Sequence, residues 1–118
     1  MARVLVVDDD PHVLSCCAQF LKAGGHEVVR ERSAIAAILT VSLASPPFDL
    51  VITDYEMPRM NGLELIEEIR KAGLKMPIIM MTGNPNVPEN HGADALLIKP
   101  MGLVVLLARV DNLLKAKS

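Results

Sequence analysis

Hydrophobic positions along this chain follow two periods that take turns. Short runs rich in β-branched residues, at Val4–Val7, Val28–Val29, Leu50–Thr53, Ile78–Thr82 and Leu96–Ile98, read as strands. Between them, apolar residues recur at helical spacing. Val13, Cys17, Phe20 and Leu21 share one face, as do Ile35, Ile38, Leu39 and Leu43. Leu63, Ile66 and Ile69 mark a third helix, opened by Asn61 as N-cap with Glu64 three positions on. Leu103, Leu106, Leu107, Val110, Leu113 and Leu114 form a last amphipathic stripe. Gly24-Gly25 and Gly73 stand where helices end.

Strand and helix alternating about five times predicts an α/β domain with right-handed crossovers and a parallel sheet covered on both faces. Val4–Val7 and Ile78–Met81 agree, because doubly covered strands are apolar throughout. One unit departs from the pattern. The interval between Thr82 and Gly92 contains Pro85 and Pro88. Proline lacks an N–H and disfavours the α conformation of the residue before it, so the fourth helix is expected to be a single turn or an irregular loop.

Composition narrows the class. With 118 residues, 51% of them apolar, the chain fits one compact domain over 1–118 with an ample core. A net charge of −2 without a basic run argues against nucleic acid or an anionic membrane as partner. Two Phe, one Tyr and no Trp leave no stacking platform for single strands. The longest apolar stretches fall far short of the ~20 residues of a membrane span. The apolar start is too short for a signal peptide and runs straight into Asp8-Asp9-Asp10. Cys16 and Cys17 are adjacent, badly placed to bridge one another, and read as reduced core thiols of a cytoplasmic protein.

In a doubly wound sheet, ligands bind beyond the carboxyl ends of the strands. Those ends are the unusual part of this sequence. The first strand runs into Asp8-Asp9-Asp10-Pro11, the third into Asp54, the fourth into Thr82-Gly83 and the fifth into Lys99-Pro100. Asp10 suits the N-cap of the first helix, with Pro11 as its first residue. Asp8, Asp9 and Asp54 on one rim would repel strongly unless protonated or bound to a hard cation. An oxygen-only set of this kind suits Mg²⁺. Lys99 adds a compact positive charge and Thr82 a hydroxyl, which together suit a phosphoryl group.

With these residues in order, the chain resembles the receiver domain of bacterial response regulators along nearly its whole length. Asp8-Asp9 looks like the family's acidic pair, and Asp54-Tyr55-Glu56-Met57-Pro58-Arg59-Met60-Asn61-Gly62 like its phosphoacceptor loop. Met81-Thr82-Gly83, Gly92-Ala93-Asp94 and Lys99-Pro100 complete the set. The resemblance implies a flavodoxin-like three-layer (βα)5 sandwich and a signalling phosphoacceptor, not an enzyme with an external substrate. Asp54 would take a phosphoryl group from a sensor histidine kinase or a histidine phosphotransfer protein. Asp8, Asp9, Asp54 and the backbone carbonyl of Glu56 would hold Mg²⁺, with Asp8 acting mainly through water. Thr82 and Lys99 would engage the phosphoryl oxygens, and Lys99-Pro100 would be cis. Glu56 and Asn84 would tune the lifetime of the acyl phosphate.

Two departures lie on the output side. Where the family usually has an aromatic, three residues before the lysine, this chain has Leu96. The proline-broken fourth unit is the other, and that helix commonly binds partners in the family. Val104, Val105 and Ala108 fall outside the core stripe of the last helix, which makes it a candidate interface for an output partner or a homodimer. A phosphatase of the haloacid-dehalogenase type shares a strand-end D-x-D, but it expects a small hydroxyl residue where Pro11 and His12 stand. A receiver-like scaffold that signals without phosphorylation is the second alternative. His12, His26 and His91 lack ligand spacing, and the methionines read as gap-fillers.

Overall fold

The computed structural model describes residues 2–84, 86–88, 91–99 and 102–117. Five strands, β1 (Arg3–Val7), β2 (Glu27–Glu31), β3 (Leu50–Asp54), β4 (Ile78–Thr82) and β5 (Ala95–Ile98), pair in parallel in the order β2-β1-β3-β4-β5. The helices are α1 (Pro11–Ala23), α2 (Ala34–Leu43), α3 (Gly62–Lys71) and α4 (Leu103–Lys117). The expected doubly wound α/β fold is therefore present, with four helices among the described residues. Residues 83–84, 86–88 and 91–94 between β4 and β5 form no helix. Pro85, one of the two prolines that predict this, lies outside the described residues, as does the Pro100 of the expected cis Lys99-Pro100 peptide.

Side chains alternate across the pleat, so each strand supplies both layers. Val4, Val6, Leu50, Ile52, Ile79, Met81 and Leu97 pack under α1 and α4 with Cys17, Leu21, Leu106 and Val110. Leu5, Val7, Val51, Ile78 and Met80 pack under α2 and α3 with Val41, Leu65 and Ile69. No helix among the described residues is long and apolar enough to cross a membrane.

The helix ends are set by the residues expected to set them. Asp10 caps α1 through a 2.9 Å bond from His12 N–H, with Pro11 opening the helix. Asn61 and Glu64 form a reciprocal capping box at α3, each side chain accepting the other's backbone N–H at 3.0 Å. Gly24 caps α1, while Gly25 and Gly73 follow with positive φ, which glycine adopts without a Cβ penalty.

Two readings of the sequence are corrected. Ile35, Leu39 and Leu43, which share a face with Ile38, are 49%, 62% and 79% exposed, whereas Ala34, Ala37 and Val41 are buried. Nearly every position of α2 is apolar, so bulk marks no face, and the small residues let the backbone lie close to the sheet. Cys16 is exposed and only Cys17 is a core thiol. The last helix conforms: Leu106 and Val110 are buried, and Val104 and Val105 are exposed.

Candidate functional site

Register alone assembles the site. Val7 pairs with Thr53, so the next residue of each strand, Asp8 and Asp54, emerge side by side. Asp54 pairs with Met81, which places Thr82 one step along the rim. Thr82 pairs with Ile98, and Lys99 N–H donates to the Thr82 carbonyl at 2.7 Å, which seats Lys99 next. The order β2-β1-β3 makes the gap between β1 and β3 the point where the winding reverses, which is where doubly wound sheets bind ligands.

Asp8, Asp9 and Asp54 each offer a carboxylate oxygen within 4.8 Å of the others. Asp8 and Asp54 are buried, and Asp9 is the more open. Asp8 spends Oδ1 on the N–H of Asp10 at 2.9 Å, which shapes the turn into α1. Asp8 Oδ2 and Asp54 Oδ1 are buried and receive no well-aligned hydrogen bond. Each instead faces the Lys99 ammonium, 3.6 Å from Asp8 Oδ2 and 3.0 Å from Asp54 Oδ1. One ammonium thus stands against three carboxylates.

The electrostatics follow. Burial pushes the Asp54 carboxyl up to about 6, with the Asp8 and Asp9 charges adding to it and Lys99 opposing. Burial likewise raises Asp8, against the Asp10 N–H and Lys99. Burial pulls Lys99 down, but Asp54 and Asp8 together outweigh it and hold the ammonium charged. Unpartnered buried oxygens on hard donors, with surplus negative charge, fit a small hard cation.

The loop after β3 is held tightly. Tyr55 N–H donates to the Met81 carbonyl and Gly62 N–H to the Tyr55 carbonyl, both at 2.8 Å. A Cβ on Gly62 would lie 2.6 Å from the Asp54 carbonyl oxygen, so this position requires glycine. Arg59 adopts φ 72 within the turn. Thr82, fully buried, uses its hydroxyl in both directions: it donates to Glu56 Oε1 at 3.1 Å and accepts from Asn84 N–H at 2.9 Å. The Glu56 side-chain bond to Thr82 was not legible in the sequence, because no motif spacing connects position 56 to position 82. On the output side, Leu96 is half-buried and packs against the α2/α3 core, while Ile98 on the same strand face is largely exposed.

Sheet order and the carboxylate cluster define the chain as a doubly wound, flavodoxin-like domain with an acidic rim at the β1/β3 reversal. Comparison with known proteins makes this specific. The response regulator receiver domain family matches residues 4–111, and the chain belongs to it, the family of phosphoaspartate domains in two-component signalling. The response regulator MprA of Mycobacterium sp. (strain KMS) is 36% identical over 121 residues, covering 98% of this chain and 52% of that protein. The chain spans about half the length of the curated relatives it matches. A CheY-like receiver domain protein from Methanospirillum hungatei superposes with TM-score 0.91 at 31% identity, covering 98% of this chain and 95% of that one. The response regulator protein TrrA of Thermotoga maritima, solved in complex with Mg²⁺-BeF, superposes with TM-score 0.87 at 32% identity, covering 96% and 99%.

Proposed function

We propose that Asp54 is the phosphoacceptor of this chain and that residues 1–118 act as one receiver domain. The observation that carries this is the buried Asp54 Oδ1, which faces Lys99 at 3.0 Å and accepts no well-aligned hydrogen bond. It is a nucleophile held in place and still free to form a bond. The donor is a phosphohistidine on a sensor histidine kinase or a histidine phosphotransfer protein. An Asp54 oxygen attacks phosphorus, the P–N bond breaks, and its electron pair stays on the imidazole. Phosphoryl transfer asks the protein mainly for positioning and for charge to oppose the equatorial oxygens. Lys99 supplies a fixed ammonium there, and the Thr82 hydroxyl supplies a donor once it turns toward the new group.

The cation of this reading is Mg²⁺, which Asp9, Asp54 and the Glu56 backbone carbonyl would hold, with Asp8 acting mainly through water. The unpartnered buried oxygens of Asp8 and Asp54 and the excess negative charge of the three carboxylates fit it. When bound, it supplies positive charge that neutralises the carboxylates and the incoming phosphoryl oxygens. The signal leaves by conformational change to an effector domain or protein. The exposed Val104 and Val105 on α4 offer one contact for such a partner or for a second copy. A cytoplasmic location accords with the reading.

Titration with beryllofluoride and Mg²⁺, followed by backbone amide shifts, tests it. A saturable shift centred on residues 54, 82 and 99, lost in Asp54→Asn, is expected. Sustained release of phosphate from an external phosphoester would favour a phosphatase instead. No response at all would favour a scaffold that signals without phosphorylation.

A further inference from the structure

We propose that the Glu56 carboxylate is a latch that holds Thr82 in the resting position and sets how readily the domain switches. This rests on the reading of Thr82 as the hydroxyl that engages the phosphoryl group. Glu56 is an exposed residue of the loop after β3, yet its Oε1 reaches across to β4 and gathers two donors there. One is the Thr82 hydroxyl at 3.1 Å and the other the Gly83 N–H at 3.3 Å. A threonine hydroxyl has a single proton to donate, and the carboxylate Oε1 of Glu56 at 3.1 Å is a nearer and stronger acceptor for it than the Asn84 carbonyl at 3.4 Å. While that proton points at Glu56, it is unavailable to any oxygen on Asp54. The hydroxyl's acceptor side is taken as well, by Asn84 N–H at 2.9 Å, so the resting rotamer is tied from both directions.

The latch also responds to the chemistry it gates. A phosphoryl group on Asp54 adds a strong acceptor and negative charge at the site to which Glu56 belongs. Charge repulsion then favours departure of Glu56, and the stronger acceptor competes for the Thr82 proton. Release of the Gly83 N–H in the same event frees the start of the β4–β5 connection, whose described residues form no helix. Glu56 is therefore a positioning residue: it makes no bond to Asp54 and acts through Thr82.

A latch reduces the population of the state that binds the phosphoryl group, and apparent affinity falls by the same factor. A charge-assisted bond between a buried hydroxyl and an exposed carboxylate is worth about a three- to tenfold shift. The experiment is a double-mutant cycle on the full chain, reading the apparent affinity for beryllofluoride in saturating Mg²⁺. Glu56→Ala is expected to bind the probe about three- to tenfold more tightly in the wild-type and Thr82→Ser backgrounds, and with no gain in Thr82→Ala. An equal gain in all backgrounds would mean that Glu56 acts only as a nearby charge, which overturns the latch. No gain, or a loss, overturns it too.

A second measurement avoids any cost of altering buried Thr82. Without probe, the Thr82 and Gly83 amide signals of Glu56→Ala should move toward their positions in the beryllofluoride-bound wild type. Signals that stay in place contradict the proposal. If wild type shows no Asp54-dependent response to beryllofluoride, the receiver reading itself fails and takes the latch with it. That outcome is distinct from normal binding with an unaltered Glu56→Ala.

Discussion

Asp54 shows how one residue can be unfavourable for the fold and suited to its task. Its carboxyl holds a proton up to about pH 6 when folded, against 3.8 for the ordinary group. Between those two values the folded protein binds the extra proton and the unfolded chain does not. Unfolding free energy therefore falls as pH rises through that window. In chelator, urea melts should show stability dropping by on the order of 2–3 kcal/mol between about pH 4 and pH 7. Asp54→Asn should flatten that slope and be the more stable protein at neutral pH. A metal-free protein whose stability rises from pH 4 to 7, with Asp54→Asn unchanged, would contradict the burial argument. Gly62 acts at the same scale. Gly62→Ala sets a Cβ 2.6 Å from the Asp54 carbonyl oxygen, which forces the loop to shift. It should cost roughly 1–3 kcal/mol and weaken beryllofluoride binding, as read by melts and titration.

The residues that carry the site were legible in sequence because strand ends announce themselves. Asp8, Thr82 and Lys99 each follow an apolar run directly, Asp54 follows one after Thr53, and parallel register then brings them together. The partner of Thr82 was not legible. The Glu56 side chain reaches it by way of a loop closure fixed by the Tyr55–Met81 and Gly62–Tyr55 backbone bonds. Cys16 was misread for a different reason: adjacent helical residues point 100° apart, so two neighbouring cysteines seldom share one environment.

Among the elements, α3 and α2 mark the two extremes of legibility. In α3, the polar and apolar positions separate cleanly, and Asn61 and Glu64 fix the first turn. Asn61→Ala should cost about 1 kcal/mol in a urea melt, with Glu64→Ala adding less than its own single effect because the two bonds form one unit. In α2, period gave the element but not its orientation. Its apolar residues encircle the axis, and the sheet selected the small face of Ala34, Ala37 and Val41. Leu43→Lys should therefore change stability by no more than about 0.5 kcal/mol, whereas Val41→Ala should cost roughly 1–2 kcal/mol. Equal costs at the two positions would reverse the placement of α2. The lack of a helix among the described residues between β4 and β5 was legible too, because prolines disfavour helix on local grounds.

At the scale of the whole molecule, the division of labour follows from the fold. The parallel register holds Asp8 and Asp54 side by side, and the layer under α1 and α4 runs unbroken from Val4 and Val6 to Leu97 on β5. The layer under α2 and α3 thins toward β5, where Leu96 is half-buried and Ile98 open. The proposed phosphoacceptor Asp54 thus sits on a fully buried central strand, while the described cover is thinner at the edge strand β5. The central claim concerns the first of these, and incubation with acetyl phosphate addresses it directly. Intact mass should show one added phosphoryl group that needs Mg²⁺, survives acid, is lost in base, and is absent from Asp54→Asn. A mass that never changes, or a phosphoryl group that remains in Asp54→Asn, would contradict the account.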